Sequence, residues 1–260
     1  MKYFDCNAMI GRYMNPHPSA FFTKEELLKE MDGAGIEEAV VYHSFAPAYR
    51  AEMGNQILME ELKDCRRLHP AWVVIPHHTG EMEKPNILVD EMAKNRVRMA
   101  RLFFGAFCYT PDFDLFVYGD LLEALQERRI PLMMEYSSGG DYPYDIPTME
   151  WKEIGRACKD FPDLPIILSG FKTTHWMRRL CALWEKFENL YLVIDGFQNA
   201  LGVENLCRRF GTRRLLFGTH MPYRAPEPTI IMINYAKISP EEKMMIVGGN
   251  LRSLFRGIKG

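Results

Sequence analysis

Asp5, Asn7, Arg101, Glu135, Asp195 and His220 all lie inside or at the end of apolar runs of strand length. Glu135 closes the run 130–134, and His220 follows the run 214–217 and a Gly-Thr pair. A carboxylate and an imidazole at such positions can serve as general base and orienting partner, or can satisfy each other in a polar pocket. These two are the catalytic candidates. Arg101 lies within the run 98–103, where its fork either holds a substrate carboxylate through two hydrogen bonds or pairs internally with Glu135. Asp195 ends the run 190–194 and either faces the same pocket or caps the next helix. Asn7 and Asp5, two residues apart on the first run, complete the substrate-binding candidates.

Other histidines follow strand-like runs too. His43 and His78 together with Glu135 and His220 offer the nitrogen and oxygen donors that zinc takes. His77 and His78 are adjacent, so at most one faces inward. His175 opens a helix beside Trp176 and reads as a surface or capping residue, and Arg224 reaches either an anionic ligand or solvent.

Such residues act together only if strand ends converge. Strand patterns cover 2–11, 37–43, 71–76, 98–103, 130–136, 164–169, 190–195 and 214–217. Helical patterns lie between them, over 23–31, 55–68, 86–94, 115–129, 149–160, 174–187 and 202–210, with a last helix from 239. Thr23 with Glu26 forms a capping-box pattern, and Ser239-Pro240 with Glu242 marks the last helix start. Several strands are apolar on both faces, as buried parallel strands are. This alternation is α/β, and eight repeats predict a closed (β/α)8 TIM barrel, one domain over 1–260. No GxGxxG follows the first strand, which argues against a dinucleotide fold. The Gly, Pro and Tyr-rich stretch 136–144 reads either as a lid over the barrel mouth or as a solvated loop.

Composition narrows the function classes. A 47% hydrophobic and 25% charged chain has enough apolar residues for a full core. A net charge of -2 with no block of like charge gives no reason to expect nucleic acid or an anionic membrane as partner. No apolar run approaches the roughly 20 residues of a membrane span. The opening residues go straight into a strand pattern and not into a secretory signal. Six scattered cysteines without a CxxC predict free thiols in a reducing cytoplasm. The methionines read as core filling.

The stretch Gly218-Thr219-His220-Met221-Pro222 resembles the Gly-Ser/Thr-Asp-x-Pro turn of the amidohydrolase-related family, in the branch of aminocarboxymuconate-semialdehyde-type decarboxylases and small-lactone hydrolases. Phe4-Asp5-Cys6-Asn7-Ala8-Met9-Ile10-Gly11 is similar to its opening Ile-Asp-x-His-x-His-x-Gly. Asn55 resembles its Asn-rich helix start. The helix ending at Arg129, followed by Ile130-Pro131-Leu132-Met133-Met134-Glu135, resembles its Gly-Ile-Pro-Val-x-x-His strand. Ile166-Ile167-Leu168-Ser169-Gly170 resembles its Ile-Ile-Leu-x-His strand, and Gly249-Asn250-Leu251-Arg252-Ser253-Leu254-Phe255 its terminal Gly-Asn-x-x-x-Leu-Phe.

The resemblance implies a TIM barrel whose divalent metal activates water. It implies two metal-binding histidines after the first strand, an aspartate after the eighth, and histidines after strands five and six. Here Asn7, Met9, Glu135, Gly170 (or, with a one-residue slip, Phe171) and His220 stand at those positions. An amide and a thioether are poor zinc ligands. The expectation is a hydrolase or lyase acting on a small carboxylated molecule in a metal-free pocket. The alternative is a catalytically inactive barrel that binds a small molecule or a partner protein. No cofactor is expected, with a divalent metal such as zinc at a rebuilt site as the minor reading. A homodimer is implied by analogy with the family.

Overall fold

The computed structural model describes residues 1–12, 20–104, 113–136, 150–170, 173–195, 197 and 199–259. Eight strands run β1 (Tyr3–Ile10), β2 (Ile36–His43), β3 (Leu68–Val73), β4 (Met99–Phe103), β5 (Leu132–Glu135), β6 (Ile166–Ser169), β7 (Leu190–Val193) and β8 (Leu215–Leu216). Each pairs in parallel with the next, in the order β1 to β8. The sheet closes on itself: the Cys6 amide donates to the Phe217 carbonyl at 3.0 Å and the Met9 amide to the Met221 carbonyl at 2.9 Å. The expected TIM barrel is thus the observed one.

The helices are α1 (Lys24–Ala34), α2 (Phe45–Ala48), α3 (Ala51–Leu62), α4 (Pro85–Lys94), α5 (Leu115–Arg128), α6 (Trp151–Asp160), α7 (Thr173–Trp184), α8 (Gly202–Phe210), α9 (Glu227–Tyr235), α10 (Pro240–Met244) and α11 (Asn250–Arg256). Both capping boxes form, Thr23 with Glu26 and Ser239 with Glu242. Each satisfies amides that the first helical turn leaves without partners.

Several elements differ from the sequence expectation, among them α2, which occupies a stretch read as a loop. The helix expected at 55–68 begins earlier and ends at Leu62, so Leu68, His69 and Pro70 belong to β3. Asn55 does not open that helix. It is buried within α3, where its side chain donates to the Val73 carbonyl at 2.8 Å and accepts from the Val73 amide at 2.9 Å. It therefore fastens the end of β3, a use of amide geometry that a helix pattern does not display. The helix α9 was not expected at all, because its exposed Ile231 and Tyr235 blur the apolar period.

Inside the barrel, Met99, Met133, Ile167, Val193 and Leu216 pack with Phe4 and Cys6, and Leu251 from α11 closes the floor. Two residues further along four of these strands, the inward side chain turns polar: Arg101, Glu135, Ser169 and Asp195. The period-2 alternation of a strand thus stacks an ionic layer directly on an apolar one. Cys6, Cys65, Cys158, Cys181 and Cys207 are free thiols. Among the described residues no helix is long and apolar enough to cross a membrane.

Candidate functional site

The polar layer is built around a buried ion pair. The Arg101 Nη2 donates to Glu135 Oε2 at 3.0 Å, and the two side chains are 0% and 1% exposed. The guanidinium lies over the Tyr42 ring, 4.2 Å from its centroid, and 5.1 Å from that of Phe103. Its Nε and Nη1 make no hydrogen bond to a described residue. Of the two readings of Arg101, the structure places it in the internal pair, with its fork turned into the protein.

Asn7 ties this pair to the rest. The β1–β2 register slips between Asp5 and Ala8. Such irregularities re-aim side chains. Cys6 and Asn7 consequently both reach the barrel interior, where strict alternation would turn one of them out. Asn7 Oδ1 accepts from Arg101 Nη2 at 2.9 Å, which fixes the orientation of the amide. Its Nδ2 then lies 2.8 Å from Ser169 Oγ, 3.2 Å from Glu135 Oε2, 3.2 Å from Asp195 Oδ2 and 3.4 Å from His220 Nδ1.

An amide nitrogen carries only two hydrogens, so these contacts cannot all be hydrogen bonds. One assignment satisfies them. Asn7 donates to Ser169 and Glu135, Ser169 donates to Asp195 Oδ2 at 3.4 Å, and His220 Nδ1–H donates to Asp195 Oδ2 at 3.2 Å. In that tautomer the His220 Nε2 is the basic nitrogen, and it makes no hydrogen bond to a described residue.

His220 is held from several sides. Its amide donates to the Asn7 carbonyl at 2.9 Å, and the Tyr223 ring meets the imidazole edge-on at 5.1 Å. Its φ of 63° lies in the left-handed region, which is costly outside glycine and occurs at functional sites. Asp195 faces the polar layer inside the barrel and not the next helix. Burial acts to raise its carboxyl, but the His220 hydrogen bond and charge, with the Arg224 charge, outweigh it and hold the group below the usual carboxylate range. Its Oδ1 is buried without a hydrogen-bond partner among the described residues. Arg224 donates to the Asp195 carbonyl oxygen at 2.7 Å, so it braces the strand end. The carboxylate touching His220 is therefore Asp195, and Glu135 connects to it through Asn7.

Asp5 lies behind this layer. Its Oδ1 accepts from the Asn7 amide at 2.9 Å and the Thr219 amide at 3.0 Å, and Oδ2 accepts from the Thr219 hydroxyl. Burial pushes its carboxyl up to about 6, against the lowering effect of these donors. Asp5 thus fastens β1 to the turn after β8.

The polar layer already carries a cation, the Arg101 guanidinium. The Glu135 oxygen nearest the centre already holds a guanidinium, and the Asn7 amide nitrogen sits amid the atoms that would be ligands. Met9 packs in the outer core. Gly170, at φ 72°, has the backbone that favours glycine over a ligating side chain. His43 turns away: its Nδ1 accepts from the Phe45 amide at 3.2 Å, Nε2 lies 3.7 Å from Glu61, and burial lowers its pKa. His77 and His78 stack on each other at 4.3 Å, with His78 exposed. Among the described residues no group of three or more His, Cys, Asp or Glu side chains is arranged to hold a metal. Phe171, the His175 side chain and the stretch 137–144 of the expected lid lie outside the described residues.

Ser169, Thr219 and Tyr42 are the partners that sequence reasoning missed. For Ser169 a signal existed, the apolar-x-polar ending that β6 shares with β4 and β5.

Comparison with known proteins adds the lineage. A family model described as Amidohydrolase matches residues 92–257. The fold is similar to an uncharacterized TIM-barrel protein from Bordetella bronchiseptica, at 20% identity over 99% of each chain and a TM-score of 0.76. It is similar to 5-carboxyvanillate decarboxylase from Sphingomonas paucimobilis, at 15% identity over 98% of this chain and 99% of that one, TM-score 0.73. It is also similar to a dihydroxybenzoic acid decarboxylase from Polaromonas sp. JS666, crystallised with manganese and 2-nitroresorcinol, at 17% identity over 98% and 97%, TM-score 0.70. No curated protein matches the chain significantly.

Proposed function

Because this chain belongs to the amidohydrolase family, we propose that it is a hydrolase or lyase for a small carboxylated molecule, working without the family's divalent metal. The observation that carries the reading is the His220–Asp195 pair at 3.2 Å, which orients the imidazole and leaves Nε2 free to exchange a proton. The Arg101 guanidinium supports metal independence, since it already supplies a positive charge to Asn7 Oδ1 and Glu135 Oε2. His220 is the general base or acid, Asp195 its orienting partner, and Asn7, Ser169, Arg101 and Glu135 hold both in place. Carboxylated substrates are the class named for the structurally similar decarboxylase, 5-carboxyvanillate decarboxylase.

Burial favours a second reading. With Arg101, Glu135 and Asn7 nearly inaccessible, the layer also suits a barrel that binds a small molecule or a partner protein without turnover. One experiment separates the two. Purified protein, with a chelator present, is screened for decarboxylation and for ester or lactone hydrolysis of small aromatic and aliphatic carboxylates. The proposal expects turnover that survives the chelator and falls about 100-fold or more in His220→Gln. Turnover that needs added manganese or zinc would overturn metal independence. Saturable binding without turnover would support the second reading.

A further inference from the structure

At the other end of the barrel lies a cavity of about 400 Å³. Its lining residues include Arg129, just before β5, Arg213, just before β8, and Tyr191, the second residue of β7, so it opens at the N-terminal ends of the strands. Ser253 adds a hydroxyl, and among the described residues no carboxylate lines the cavity.

The two arginines belong to doublets that divide their work. In Arg128-Arg129, the first pairs with Asp90 at 2.6 Å. In Arg213-Arg214, the second is spent on the Trp184 and Phe187 carbonyls at 3.0 and 2.7 Å. The side chain of the remaining member of each doublet makes no hydrogen bond or ion pair with a described residue. Both side chains are solvent-exposed and line the same cavity, so an anion entering it meets two guanidinium groups.

Arg129 adds an independent sign. It caps α5 at φ 54° and ψ 35°, a left-handed position where glycine is the usual residue. A long cationic side chain is thus carried where the backbone favours none.

We propose that this cavity binds a small dianion of the phosphomonoester or dicarboxylate class, gripped by Arg129 and Arg213 with the Tyr191 and Ser253 hydroxyls as further donors. The volume suits a ligand of metabolite size. Guanidinium forks match the geometry of both oxyanions.

The test is calorimetric titration of the full chain with inorganic phosphate and with succinate, at constant ionic strength set by chloride. Saturable binding of either is expected, and the preferred one identifies the class. Arg213→Gln is expected to weaken binding about tenfold or more. Arg129→Gly is expected to do the same while leaving the unfolding midpoint unchanged or higher, because glycine suits that backbone, which separates ligand loss from misfolding. No saturable binding up to about 10 mM, a concentration beyond which affinity has little meaning for a metabolite, would overturn the proposal. So would binding that both variants leave intact. The measurement does not depend on turnover at the His220 end.

Discussion

Replacing Glu135 by Gln removes the negative charge beside a guanidinium that is 0% exposed. The Arg101 fork keeps Asn7 Oδ1 at 2.9 Å, but its Nε and Nη1 have no hydrogen bond to fall back on. Breaking one side of a buried pair costs about 3–5 kcal/mol, because the other charge stays buried. The Tyr42 face at 4.2 Å offsets part of this, by ~1–2 kcal/mol for a desolvated cation–π contact. The net expectation is a loss of about 3 kcal/mol, a large share of the ~5–15 kcal/mol that holds a typical domain. For a chain of this size that lowers the melting midpoint by roughly 6–12 °C. Removing both charges in Arg101→Met with Glu135→Gln should recover most of the loss, since an apolar replacement of a buried pair is often near neutral. Urea unfolding at pH 7, followed by circular dichroism, reads all three proteins. A loss below about 1 kcal/mol in Glu135→Gln, or a double variant weaker than the single one, would refute the account of a charge-locked layer.

Three further outcomes follow from the same coordinates. Asp5 is raised from 3.8 to about 6 in the fold, so the folded state holds the extra proton and stability rises as pH falls from about 7 to 4, by on the order of 3 kcal/mol. Asp5→Asn should flatten that segment of a stability-versus-pH profile, and an unchanged slope would remove Asp5 as its source. In nitrogen-15 spectra, neutral His220 should carry its proton on Nδ1, and Asp195→Asn should shift the ring toward the other tautomer; an Nε2–H form in the parent protein would contradict the assigned network. A Cβ at Gly54 would meet the backbone nitrogen and Cα of Ala46 at 2.3 and 2.4 Å. Gly54→Ala should therefore cost about 1–3 kcal/mol through displacement of α2 from α3, and a thermal midpoint within error of the parent would show that the two helices separate freely.

The barrel was legible because burial leaves a plain mark: strands such as Ile166–Ser169 are apolar on both faces, and turn residues separate them from helices. The polar layer was half legible. Arg101, Glu135 and Asp195 each follow an inward apolar residue by two positions, so their side of the strand follows from alternation alone. What alternation cannot give is azimuth around a closed barrel, and so Glu135 was paired with His220 when the residue beside His220 is Asp195. Nor can it give an irregularity. Asn7 reaches the centre because β1 slips register after Asp5, and nothing in the run from Phe4 to Ile10 marks that slip. The role of Asn55 was hidden for a different reason: a side-chain amide that completes a strand edge leaves no periodic trace.

The bonds that close the barrel are also those that set the site. Asp5 and Thr219, and Asn7 and His220, join residues more than 210 positions apart in the chain. During synthesis one edge of β1 therefore waits for its partner while over 200 residues are added, on the order of 10–40 s at ribosomal rates. Throughout that interval Asn7 lacks His220, while Arg101, Glu135 and Ser169 are already in the chain, so the imidazole joins the cluster last. A permuted chain that begins between two later strands would make the β1–β8 seam early and local. Its refolding rate, compared with that of the native order, would measure how far this long-range seam limits folding.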